Sequence, residues 1–324
     1  MGASSPVGIA VTTTHMSAER SSSVGRPFQG RLLVIALMVV LCAARAIAAD
    51  TYALIVSGAS GGAPYAEKYD GWRNSFVATL KTTLGYRDDR IVSLPEASRA
   101  QIQQVLRDLR GRMTKDDVLF VMLIGHGTDE KFNLTGPDMT AADWAAQLKP
   151  IPGRVVFVDT TSSSFPFLRQ LAAPGRIVIT ATDSAAQQFE TVFPEFFIKA
   201  FTEPSADGDK DGRISIFEAF LFASANVRIW FDRHNQLPTE RALLDDDGDG
   251  VGREAWNPSP DGAVARATFL QPRAAAAGNP IAKRQADLEN AIADLKARRS
   301  SMPAAAYDAE LERLLTELAL LMVK

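Results

Sequence analysis

Up to residue 180 the chain is punctuated by almost wholly apolar runs, at residues 52–56, 118–124, 155–158 and 177–180, with a mixed run at 90–94. Between the first three lie segments whose apolar residues recur at helical spacing. Tyr69, Trp72, Phe76 and Leu80 make one such face, and Ile102, Val105, Leu106, Leu109 and Met113 make another. Ser98 and Gln101 form a capping-box signature at the start of the second. A strand without polar alternation must be covered on both faces, and strands that alternate with helices join in parallel. The fold class expected is therefore α/β, a mostly parallel sheet with helices on both faces. In such sheets chemistry collects outside the carboxyl ends of the strands. The residues that fall there are the Gly-rich loop 57–62, the triplet Gly125-His126-Gly127, the polar turn 159–164, and Ala181-Thr182-Asp183.

The first 48 residues have a different character. Arg31 precedes an apolar run at 32–44, followed by Ala46-Ile47-Ala48. A positive flank, a short apolar core and a small-x-small site predict a secretory signal peptide, with export to a periplasmic or extracellular space. The run is shorter than the roughly 20 residues of a bilayer span, so membrane contact follows only if the leader stays uncleaved. Cys42 is the sole cysteine and would leave with the leader, so the mature chain would hold no thiol. Four Arg and one Glu would leave too, taking the net charge from −3 to −6. That balance predicts no nucleic-acid surface.

The sharpest local motif lies further on. Residues 207–218 match a twelve-residue EF-hand loop, with Asp207, Asp209 and Asp211 at positions 1, 3 and 5 and Gly212 at the sharp turn. Arg213 would offer its carbonyl, Ser215 stands at position 9, and Glu218 closes the loop at position 12. Hard oxygen ligands in this pattern predict a structural Ca²⁺ site; the plainer reading is a solvated acidic turn. A second loop repeats the spacing with Asp245, Asp247 and Asp249 and Gly250, but Arg253 and Trp256 stand at positions 9 and 12. It reads equally as a partial site or a plain loop. His234, between the two loops, reads as a surface residue.

A buried strand ending Gly125-His126-Gly127, then one ending Asp159-Thr160-Thr161-Ser162-Ser163-Ser164, then 176–183, resembles in order the legumain-type cysteine peptidases and their caspase relatives. The resemblance covers roughly 52–232 and implies a caspase-like fold with a peptidase site at the strand ends. His126 would be the general base, and the family's nucleophilic Cys falls on Thr161. A thiol beside an imidazole ionises readily, whereas a hydroxyl needs a base and usually a third, orienting group. The Gly that usually follows the family's Ser is Ser164 here, and the Arg expected after the first strand has no counterpart between Gly58 and Gly71.

The remaining chain divides into a domain at 49–256, a Pro/Ala/Gly-rich linker at 257–280, and a helical hairpin at 281–324 with stripes Leu288-Ile292-Leu295 and Leu311-Leu314-Leu315-Leu318. The hairpin packs on its own domain or serves as a partner-binding arm. The protein expected is an exported, calcium-stabilised pseudo-peptidase acting as a binding or scaffold module for a protein or peptide. One alternative is an active hydrolase using a hydroxyl of Thr161, Ser162 or Ser163 with His126. Another is an assembly adaptor working through the C-terminal helices.

Overall fold

A computed structural model describes residues 50–128, 130–271 and 302–322, together with 284, 288, 291, 292, 295 and 299. The segment read as a signal peptide, with Cys42, and residues 272–280 lie outside the described residues. The expected runs become strands β1 (Thr51–Ser57), β2 (Ile91–Leu94), β3 (Val118–Ile124), β7 (Arg154–Asp159) and β8 (Arg176–Thr180). They pair in parallel in the order β2-β1-β3-β7-β8. A short strand that the sequence did not suggest, β9 (Leu243–Asp245), closes the edge antiparallel to β8. Two-residue strands β4 (Gly127–Thr128), β5 (Lys131–Phe132) and β6 (Met139–Thr140) form a small antiparallel sheet just past β3.

The helices up to residue 266 are α1 (Ala63–Thr82), α2 (Arg99–Arg112), α3 (Ala141–Leu148), α4 (Phe165–Leu171), α5 (Phe193–Ala200), α6 (Ile216–Arg233) and the short α7 (Ala263–Arg266). Ser98 caps α2 with the reciprocal bond from Gln101 that the sequence predicts, and Thr140 with Asp143 and Ser215 with Glu218 do the same for α3 and α6. Side chains alternate across the sheet, so Ala53, Ile55, Phe120, Met122, Val156 and Val158 join α1, α5 and α6 in one core. Leu54, Val56, Val121, Leu123, Val155 and Phe157 join α2, α3 and α4 in the other. Both faces are covered, which is why the strands read as continuous apolar runs.

Residues 261–270, within the stretch read as a linker, pack against the domain. Asp261, Ala265, Thr268 and Leu270 are all buried. Ile216 N–H bonds to Thr268 C=O, Ser215 bridges Phe269, and the Arg154 guanidinium donates to the Thr268 hydroxyl at 2.8 Å. Small residues here permit close packing on α6 rather than freedom from it. Further on, α8 (Ala304–Met322) is helical, and Leu288, Ile292, Leu295, Tyr307 and Leu314 form a buried cluster of their own. Leu315 lies outside that stripe and is exposed.

Candidate functional site

Parallel register sets the ends of β3, β7 and β8 side by side, with Leu123 opposite Asp159 and Asp159 opposite Thr180. The glycines flanking His126 let the chain turn there against its neighbours. A Cβ on Gly125, whose φ is +145°, would stand 3.3 Å from Gly58 N. A Cβ on Gly127 would fall 2.2 Å from Ser162 O and 2.7 Å from Thr161 Oγ1. The sequence-predicted residues are therefore brought together as a neighbourhood.

No hydrogen bond joins His126 to a hydroxyl of residues 160–164. The His126 imidazole lies edge-on to two tyrosine rings, at centroid distances of 4.8 Å to Tyr65 and 5.5 Å to Tyr69, and its Nε2 is 3.1 Å from the Tyr69 hydroxyl. Burial, and secondarily Glu190 and Tyr65, hold that phenol well above its usual pKa, so it stays neutral. Residues 160–164 are all buried, and each hydroxyl has a partner other than His126. Thr160 donates to Leu123 O at 2.6 Å, and Thr161 to Asp159 Oδ1 at 2.7 Å. Ser162 Oγ donates to Gly127 O at 3.1 Å and accepts from Gly127 N at 3.2 Å. Ser163 donates to Gln187 O at 2.9 Å, and Ser164 shares a 3.0 Å bond with the Thr182 hydroxyl. Hydroxyls arranged this way satisfy a turn and join two strand ends. A nucleophile requires its base within hydrogen-bond reach, and none of these three candidates has it.

Asp159, beneath the turn, is fully buried. Burial pushes its carboxyl up to about 7, although the two bonds from Thr161 pull the other way. Its Oδ2 has no hydrogen-bond partner. Asp183 is tied to Arg241 at 3.2 Å on the surface. Beside Tyr69, Lys68 pairs with Glu190 at 3.0 Å and covers the Trp72 ring. Glu190 also borders an open groove lined by Phe189, Trp230, Phe231, Leu237 and Glu240. Phe189 is 69% exposed and Leu237 87%.

The acidic loops behave differently. In residues 207–218, carboxylate oxygens of Asp207, Asp209 and Asp211 converge within 4.8 Å of one another. Gly212 takes the left-handed turn at φ +82°. Asp207 Oδ2 accepts from Gly212 N at 3.0 Å, and Asp211 Oδ1 accepts from Arg213 N at 2.8 Å. Glu218 accepts from Gly208 N at 2.9 Å with one oxygen and from the Ser215 hydroxyl at 2.8 Å with the other. The donor set suits a hard divalent cation, with Arg213 contributing backbone only while its guanidinium pairs with Asp211 and lies over Phe269. In the second loop, Asp245, Asp247 and Asp249 converge in the same way. Arg253 there uses its backbone to pair with Leu244, and Trp256 is exposed. A residue that sequence spacing missed, Asp261, reaches the loop from outside, accepting from Asp246 N at 2.9 Å and Asp247 N at 3.3 Å. His234 caps the C-terminal end of α6 and is exposed, as its setting suggested.

Among the described residues no helix is long and apolar enough to cross a membrane. No family model and no curated protein matches the chain. Among solved structures it is similar to caspase-1 from Spodoptera frugiperda, with a TM-score of 0.46 and 10% identity over 61% of this chain and 87% of that one.

Proposed function

We propose that this chain is an exported protein of the caspase/legumain type whose former catalytic edge is closed, and that it works as a calcium-stabilised module for binding a protein or peptide. The observation that carries this reading is the division of partners at the sheet edge. The imidazole of His126 is spent on Tyr65 and Tyr69, while the hydroxyls of 160–164 are spent on Asp159, Thr182 and backbone. Peptidase kinship is supported by the order of the strand-end motifs along the chain and by their adjacency on the sheet. A binding role is supported by the exposed Phe189 and Leu237 lining the groove, because contiguous exposed apolar surface marks interaction sites. The 207–218 loop supplies the ligand pattern for calcium.

The deciding experiment treats the purified protein with hydroxyl-directed electrophiles and with a pool of unstructured peptides. The expected outcome is no adduct within 160–164 and no cleavage. A specific adduct there, abolished by His126→Ala, would restore the hydrolase alternative.

A further inference from the structure

Compared position by position, the two acidic loops share their hydrogen bonds as well as their aspartates. The carboxylate at position 1 accepts from the glycine N–H at position 6 in both, Asp207 from Gly212 at 3.0 Å and Asp245 from Gly250 at 2.6 Å. Position 3 accepts from position 5, Asp209 from Asp211 at 3.1 Å and Asp247 from Asp249 at 2.9 Å. Position 5 accepts from position 7, Asp211 from Arg213 at 2.8 Å and Asp249 from Val251 at 2.6 Å. Glycines 212 and 250 turn at φ +82° and +75°.

The match extends to the residue that closes each loop. In the first, Glu218 Oε1 accepts from the N–H groups of positions 2 and 3, Gly208 at 2.9 Å and Asp209 at 3.4 Å. In the second, Asp261 Oδ1 accepts from the same two positions, Asp246 at 2.9 Å and Asp247 at 3.3 Å. Asp261 is 3% exposed, and its other oxygen, Oδ2, has no hydrogen-bond partner. Asp245 and Asp247 stand near enough to act on its charge. A buried carboxylate oxygen without a donor, set beside two more carboxylates, is costly unless a cation balances it. The chain cannot supply position 12 locally, because residues 251–253 turn back to pair with β9. Asp246 instead reaches over to Gly262 N at 2.8 Å and Ala265 N at 2.7 Å, which holds Asp261 against the loop.

From this correspondence we infer that Asp245, Asp247, Asp249 and Asp261 form a second site for a hard divalent cation of the calcium class, with Asp261 standing in for the missing twelfth ligand. The inference goes beyond the first loop, and the two sites can fail separately.

The test is calcium stoichiometry by equilibrium dialysis against millimolar CaCl₂, after removal of metal with EDTA. The wild type should bind two ions per chain. Asp261→Ala should bind one, and so should Asp209→Ala with Asp211→Ala, since alanine removes the ligand oxygen that asparagine would keep; the combined variant should bind none. Should Asp261→Ala fail to fold, Asp247→Ala with Asp249→Ala, both at exposed positions, carries the same expectation. Full stoichiometry in the second-loop variants overturns the second site. A single wild-type ion that survives them and vanishes with Asp209 and Asp211 also overturns it while upholding the first loop. A single ion with the opposite dependence upholds the second site and removes the first; no bound calcium at all removes both.

Discussion

The turn after β7 and the loop after β9 both follow buried strands of one sheet, yet their polar side chains are used in opposite ways. In the turn every hydroxyl from Thr160 to Ser164 faces a protein partner at hydrogen-bond distance, and the chain packs closely enough that Gly127 tolerates no Cβ. In the loop, carboxylate oxygens of Asp245, Asp247 and Asp249 crowd within 4.8 Å of one another. An unpartnered buried carboxylate oxygen does not separate the two regions, since Asp159 beneath the turn and Asp261 beside the loop each have one. What separates them is charge: the turn sets hydroxyls against acceptors, whereas the loop holds like charges together, a cost that a bound cation would remove.

The sharpest way to break this contrast is to crowd each region in turn. Gly127→Ala places a methyl against a backbone oxygen that cannot withdraw, and should cost about 3–5 kcal/mol. Gly212→Ala in the first acidic loop meets nothing within 4 Å and should cost only the left-handed backbone penalty of about 1–2 kcal/mol. Urea unfolding of both variants decides the matter; equal costs would mean that the turn is no tighter than the loop.

The next effect is a pH dependence located in the turn. Burial raises the Asp159 carboxyl to about 7 in the folded chain, whereas the unfolded chain loses the proton near the ordinary carboxylate value of 3.8. The folded state therefore binds more protons between those values, and stability falls as pH rises through that window. Asp159→Asn keeps an acceptor for Thr161 and removes the titration. Its stability relative to wild type should rise by on the order of 4 kcal/mol between pH 4 and pH 8. Parallel pH profiles for the two proteins would show that the buried acid is balanced by something else.

The smallest effect probes the tyrosine cover. Tyr69→Phe removes one hydrogen bond to His126 and should cost roughly 0.5–1.5 kcal/mol, with electrophile labelling of 160–164 still absent. Labelling that appears only in this variant would mean that the phenol masks a working base.

Much of the frame was legible because fully covered strands declare themselves by unbroken apolar runs, and helices such as α2 by their caps. The two-residue strands β4 to β6 and the three-residue β9 carry no periodicity to read. At the sheet edge the residue types were visible, but their aim was not. Whether Ser162 meets an imidazole or the backbone of Gly127 depends on the register of β3 with β7. Tyr69 read as one more apolar residue on a helix, and nothing in its spacing announced the imidazole above it. Asp261 escaped for a related reason, since its role depends on a chain reversal at 251–253 rather than on a count of twelve.

The same reversal fixes where this molecule can be cut. Ending the polypeptide at residue 256, where composition suggests a boundary, would strip Ala265 and Leu270 from the core facing α6 and leave Asp246 without the two N–H groups it now accepts from. A fragment that keeps these contacts therefore extends at least through Leu270.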